Sequence, residues 1–367
     1  MVSRDASASK IYAFIFALML TIIGTQVQAS VFDGKGAIVM DTNQAMFKAA
    51  GKPTTVPPSD AEYATRLTKM VEMFKNAGCA WVAVKACDEK RILPQFSSKL
   101  VAAFNGVSGA PRLIGYHVIE ADNAGDAKQE AKAAQDVISA QKPVGWIVMP
   151  CDQFYGSNGN SSNVNNAPQP GAIKQYLDDV GGKGAELAYC PPADLADNTT
   201  DDTNIPNTDV KKKHHHWKKA HIWRAERVAV QKAVVDHKTN SQFTVTTLMP
   251  RAFWKAGNPA TNFDAGNFKS NYKNWWDANA PKRSDNSLVP LVDLPQCEAP
   301  NINESRICAF WTFVRGFTHF ANHKGVAVFL FEDMNGKDNT EFTSLKYPAG
   351  CAKIAAKKAK HPKRKTR

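Results

Sequence analysis

The chain lacks most of the short motifs by which a sequence declares its chemistry. Its seven cysteines (79, 87, 151, 190, 297, 308 and 351) include no CxxC pair, which excludes a zinc ribbon and a thioredoxin-type redox centre. No GxGxxG and no Walker sequence is present, so the usual phosphate cradles of nucleotide-binding folds are missing and no cofactor is expected. There is no HExxH either. The histidines at 214, 215, 216 and 221 do not replace it, because successive residues on a helix point about 100° apart and His221 finds Trp217, not a histidine, four positions before it. No metal site is expected, and these histidines read as part of a basic surface patch. Long apolar runs are scarce as well. The apolar stretch 11–23 falls short of the roughly 20 residues that span a bilayer, and no later segment approaches that length.

That one apolar stretch has a different meaning. Arg4 and Lys10 precede it, and Val27-Gln28-Ala29 follows with the small residues of a cleavage site. Residues 1–29 therefore read as a secretory signal peptide, with a mature chain that begins near Ser30 and is secreted or periplasmic. An uncleaved N-terminal anchor is the other reading. Export permits disulfides, and Cys297 with Cys308, which bracket a short loop, is the preferred pair. An odd count leaves one thiol free or paired between chains.

Charge is unevenly placed. The net charge is +12, yet residues 353–367 hold eight basic and no acidic side chains, and residues 211–227 carry a net +6. With those segments and the +1 of the first 29 residues set aside, everything else carries −3. The body is near neutral. No specific nucleic-acid partner is expected; in an exported protein the basic tail (341–367) suits anionic cell-surface polymers, or serves as a solvated end.

Periodicity gives alternating strands and helices. Strands are expected at 37–41, 81–86, 112–119, 145–149, 186–190, 243–249, 288–293 and 326–331. Helices are expected after the capping box Ser59-Asp60-Ala61-Glu62, from Pro94, over 125–141, up to Gly181-Gly182, and over 216–236, 263–276 and 304–323. Eight strands separated by seven helices predict an α/β fold, a (β/α)₈ TIM-type barrel over 30–340 with a basic His/Lys-rich insertion near 191–227. An open doubly wound sheet is the rival, but the nucleotide motifs that usually mark it are missing.

In a barrel the active groups gather at the C-terminal ends of the strands. The residues expected there are Asp41 after strand one, Lys85 and Asp88 after strand two, and Tyr116, His117 and Glu120 on strand three. Asp152 and Tyr155 follow strand four, Trp254 follows strand six, Asp293 ends strand seven, and Glu332 and Asp333 follow strand eight. Carboxylates among aromatic platforms suit sugar chemistry, in which one acid protonates the glycosidic oxygen while another acts as base or nucleophile. Any one of these carboxylates can also be a helix cap or a loop anchor.

At these residues the chain resembles the lysozyme-type barrels of glycoside hydrolase family 25. Trp81-Val82-Ala83-Val84-Lys85-Ala86 is similar to that family's second strand, and Gly115-Tyr116-His117 to its third, with Asp41 in the place of the strand-one aspartate. The resemblance covers roughly residues 30–150. It implies a glycan-acting barrel with Asp41 and Asp152 as nucleophile, base or orienting groups, and with Asp88, Tyr116 and His117 lining the site. Strand four reads Met149-Pro150-Cys151-Asp152-Gln153-Phe154, so the family's Asp-x-Glu is absent. The proton donor then comes from Glu120 or Glu332, or the barrel binds glycans without cutting them. A small-molecule enzyme of another class is a third possibility, because fold does not fix function.

Overall fold

The computed structural model describes residues 30–43, 45–46, 59–119, 121, 123–150, 170–190, 245–250, 273, 276–277, 287–289, 291–293, 312–317 and 323–330. Within them ten strands form one sheet: β1 (Gly34–Val39), β2 (Trp81–Asp88), β3 (Arg91–Ile92), β4 (Arg112–Ile119), β5 (Gly145–Pro150), β6 (Glu186–Tyr189), β7 (Val245–Leu248), β8 (Ser287–Leu288), β9 (Leu291–Asp293) and β10 (Gly325–Leu330). The order is β8-β7-β6-β5-β4-β2-β1-β10-β9, and every neighbouring pair along it is parallel. Only β3 runs antiparallel, as a short return against the end of β2.

Four helices belong to the described residues: α1 (Asp60–Asn76), α2 (Ser98–Gly106), α3 (Ala124–Gln141) and α4 (Pro170–Val180). The expected capping box opens α1, where the Ser59 hydroxyl accepts the Glu62 N–H at 3.3 Å. That helix buries Leu67, Met70, Val71 and Phe74, and Gly78 ends it at φ +73°, a conformation that suits glycine. Asn123 caps α3 by accepting the N–H groups of Gly125 and Asp126. α2 begins at Ser98, four residues later than the sequence suggested. Ser97 is its cap, and the residues from Pro94 form a turn instead.

Side chains on a strand alternate between faces, and here each face has its own core. Val82, Val84, Trp146, Val148 and Leu187 pack with Leu67, Phe74, Leu100, Val137 and Tyr176 from the helices. Ile38, Trp81, Ala83, Ile114, Tyr116, Ile147, Met149 and Ala188 pack on the other face with Phe32, Cys190, Met249 and Val289. No helix residue enters this second core among the described residues.

The sheet is strongly curled around that inner core. Val31 donates its backbone N–H to Glu186 Oε2 at 2.9 Å. Glu186 opens β6, four strand positions from β1, a separation of about 19 Å on a flat sheet. Phe32 lies beneath the curl: its carbonyl accepts the Trp81 indole N–H at 2.8 Å, and their rings meet edge to face. Glycine makes room for these rings. A Cβ on Gly36 would lie 2.0 Å from the Trp81 ring, and one on Gly145 would lie 2.8 Å from Phe32.

These contacts explain why β1 begins at Gly34, three residues before the expected start. Gly34 and Gly36 look like loop residues, yet they pair in register with β10; the Trp81 ring fills the space at Gly36, and at Gly34, where φ is +99°, a Cβ would lie 2.7 Å from the Ala80 Cβ. The expected helices over 216–236, 263–276 and 304–323 lie largely or wholly outside the described residues, as do the basic insertion and the tail. Of the cysteines, Cys79, Cys87 and Cys190 are buried, and the Cys297–Cys308 pairing lies outside the described residues. Among the described residues no helix is long and apolar enough to cross a membrane.

Gly36→Ala is expected to cost about 1–3 kcal/mol by overpacking the ring, read as a lower denaturation midpoint. Gly106→Ala, where an added Cβ meets nothing within 4 Å, should leave the midpoint within about 0.5 kcal/mol of wild type. Equal effects at the two positions would contradict this packing.

Candidate functional site

A cleft of about 340 Å³ opens at the C-terminal ends of β1 and β2. Met40, Asp41, Thr42 and Asn43 line it from the end of β1, Lys85 from β2, Tyr63 from α1, and Leu93, Pro94 and Gln95 from the turn before α2. This is the end of a parallel α/β sheet at which ligands bind in such folds.

Asp41 lies two residues past β1. Its Oδ1 accepts the Asn43 N–H at 2.7 Å and its carbonyl accepts the Ala45 N–H at 3.2 Å, so the side chain is held by its own turn. Oδ2 has no hydrogen-bond partner among the described residues.

Lys85 and Asp88 owe their meeting to a bulge. Residues three apart on a regular strand face opposite ways. Between Lys85 and Cys87 the register of β2 against β4 slips by one, leaving Ala86 as the extra residue. After the slip Asp88 returns to the face of Lys85, and the two form an ion pair at 2.5 Å. Arg91 on β3 adds a second contact to Asp88 at 2.9 Å. Burial pushes the Asp88 pKa upward, but Lys85 and Arg91 together outweigh it and hold the carboxyl below the ordinary aspartate value. Asp88 is therefore a structural anion and not a proton donor.

Tyr116 and His117 were both expected in the site, and the strand's alternation separates them. Tyr116 points into the inner core, fully buried, and its hydroxyl reaches Met40 Sδ, so it supports the cleft from beneath. His117 turns to the helix-covered face and is fully buried there, which removes it from the substrate-lining set. Its Nε2 lies 2.7 Å from the Glu89 carbonyl, which can only accept, so the proton is on Nε2. Nδ1 then accepts from the Tyr176 hydroxyl at 2.9 Å, and Tyr176 in turn accepts the Trp146 indole N–H at 3.0 Å. The chain fixes Glu89, whose φ of +50° makes the tight reversal between β2 and β3. Burial pulls the His117 pKa down to about 3, only partly opposed by the Glu89 contact and by Asp88.

Of the other expected site residues, Glu120, Asp152, Tyr155, Trp254, Glu332 and Asp333 lie outside the described residues. Sequence reading missed Tyr63, Thr42 and Gln95. Tyr63 follows the apolar rhythm of α1 and reads as core, and Gln95 lies where a helix was expected. Among the described residues no group of three or more metal-binding side chains occurs.

No protein-family model and no curated protein matches the sequence. The glycoside hydrolase domain of PgaB (BpsB) from Bordetella bronchiseptica has a similar chain course, with 9% identity over 85% of this chain and 98% of that one, at a TM-score of 0.48. A family GH18 chitinase from Pseudoalteromonas aurantia is 10% identical over 83% of this chain and 97% of its own, at a TM-score of 0.46. A sugar phosphate isomerase/epimerase from Parabacteroides distasonis is 8% identical over 89% and 96%, at 0.43. Likeness at this level carries nothing about chemistry.

A histidine held neutral in the fold opposes acid. Its folded pKa of about 3 lies below the ordinary 6.5, so the unfolded chain binds the proton first and stability falls as pH drops from about 6.5 toward 3. His323, also pulled down to about 3 by burial, acts in the same direction. His117→Asn should remove one proton's share of that slope, about 1.4 kcal/mol per pH unit, in urea titrations between pH 6 and 4. An unchanged slope would mean that His117 is not buried neutral.

Proposed function

We propose that this is an exported, glycoside-hydrolase-like protein whose cleft at the ends of β1 and β2 takes a polysaccharide or peptidoglycan-like glycan. One observation carries the reading: Asp41 presents an oxygen without a partner among the described residues to a cleft that also holds Lys85, Thr42, Asn43 and the half-buried Tyr63. A carboxylate, an amide and an aromatic side chain are what a sugar ring's hydroxyls and apolar face require. Asp41 then acts as nucleophile, base or orienting carboxylate, with Asp152 as its partner carboxylate and Glu120 or Glu332 as proton donor.

The proposed fold is a closed (β/α)₈ barrel. β8 pairs with β7 and β9 with β10, and only Val289 and Pro290 stand between β8 and β9. Proline has no N–H to give a ladder, so the two short strands read as one strand interrupted at that point. With them merged and β3 set aside, eight parallel strands follow one another in chain order around the ring. The match of Asp41, Lys85 and Tyr116 to glycoside hydrolase family 25, from which strand four departs by lacking the Asp-x-Glu, belongs to the same proposal. Export rests on residues 1–29, and contact of the 341–367 tail with an anionic cell-surface polymer rests on the eight basic side chains of residues 353–367.

A second reading, a glycan-binding barrel without turnover, is favoured by strand four, where Asp152-Gln153-Phe154 stands in place of an Asp-x-Glu pair. Hydrolysis of peptidoglycan and a panel of polysaccharides, with a pull-down in parallel, separates the two. As an enzyme, the wild type turns over one glycan and Asp41→Asn loses about 10³-fold or more of kcat. Binding without turnover, weakened by Asp41→Asn, makes it a binding barrel. Neither turnover nor binding on any glycan overturns both.

A further inference from the structure

We infer that Gln95 is the positioning residue of the mouth, fastening the ends of β1 and β2 so that Asp41 and Lys85 face one cleft; the role rests on the reading of that cleft as the glycan site. The Gln95 side chain makes four contacts. Nε2 donates to the Met40 carbonyl at 2.9 Å and to the Lys85 carbonyl at 2.7 Å. Oε1 accepts the Thr42 N–H at 3.0 Å and the Thr42 hydroxyl at 3.4 Å. A carboxamide offers two donors and two acceptor sites. All are occupied, so the group has no donor left for a ligand although it borders the cleft. Its work is to hold other residues.

The residues it holds are adjacent to the functional ones. Met40 and Thr42 flank Asp41 on either side, and the Lys85 carbonyl belongs to the residue whose ammonium pairs with Asp88. These carbonyls and this N–H lie beyond the last paired residue of β1 or at the bulge of β2, where the sheet's own ladder no longer satisfies them. The route by which Gln95 arrives is also fixed. β3 folds back on β2, Leu93 donates its N–H to the Ala86 carbonyl at 2.9 Å, and Phe96 closes the turn onto Leu93 at 3.2 Å. The hairpin tip is pinned separately by His117 at Glu89.

The test is hydrogen exchange and NMR on the intact protein, without glycan. In the wild type both side-chain amide protons of Gln95 should exchange slowly, which needs no variant and so survives any folding defect. In Gln95→Met, which keeps the length but no hydrogen bond, exchange of the Thr42 amide should rise about five- to tenfold, and the Asp41 carboxyl carbon resonance should shift. The Val148 amide, in the middle of β5, should not change. Fast exchange of the wild-type Gln95 amide protons would overturn the inference. So would a uniform rise at Thr42 and Val148 alike, since Gln95 would then serve general stability only. Glycan binding measured on the same samples keeps the two claims apart: a local loss at Thr42 in a protein that binds no glycan supports the role of Gln95 and sinks the glycan reading.

Discussion

Val31 gives its N–H to Glu186 across the open end of the sheet, and Phe32 and Trp81 fill the space beneath that bond. The remaining architecture follows from this floor. Each ring contributes roughly 2–3 kcal/mol by its burial, and the glycines at 36 and 145 exist because those rings need the volume that a side chain would take. With the floor in place, strands four positions apart approach one another, and the inward side chains pack on themselves without any helix. The outward side chains are left for α1 to α4.

At the other end the same alternation decides which residues reach the mouth. It sends Tyr116 inward beneath Met40 and His117 outward to Tyr176, although the two are neighbours in sequence. The bulge at Ala86 resets the rule for Lys85 and Asp88. The β2–β3 hairpin, pinned by His117 at its tip and Gln95 at its root, then closes the cleft around Asp41. A parallel sheet thus delivers one carboxylate with an oxygen left open among the described residues and one that is neutralised, and the difference comes from local geometry and not from residue type.

The central strands were plain in the sequence because runs such as Trp81–Asp88 and Arg112–Ile119 are mostly apolar and include β-branched residues, as suits strands covered on both faces. The cap at Ser59 was legible for the same reason that it works, through a short side chain that accepts a backbone N–H group. What could not be read was long-range. Nothing local says that Gly36 is a strand residue, because the cause is the Trp81 ring more than forty positions later. Nothing local places Gln95 across Met40 and Lys85, and no periodicity reveals a one-residue slip in β2. Asp41 was found by its place after an apolar run. His117 was misplaced by motif similarity, which ignored the two-residue period of the strand.

The central claim is that the cleft bordered by Asp41, Lys85 and Tyr63 receives a glycan. The most direct measurement is amide and side-chain NMR perturbation mapping as soluble oligosaccharides from peptidoglycan and polysaccharides are titrated into the intact protein. The account predicts saturable shifts concentrated at Asp41, Thr42, Asn43, Tyr63 and Lys85, with the floor residues Val31, Phe32 and Glu186 unmoved. Shifts confined to the floor or to other surfaces, or none with any oligosaccharide, would contradict it.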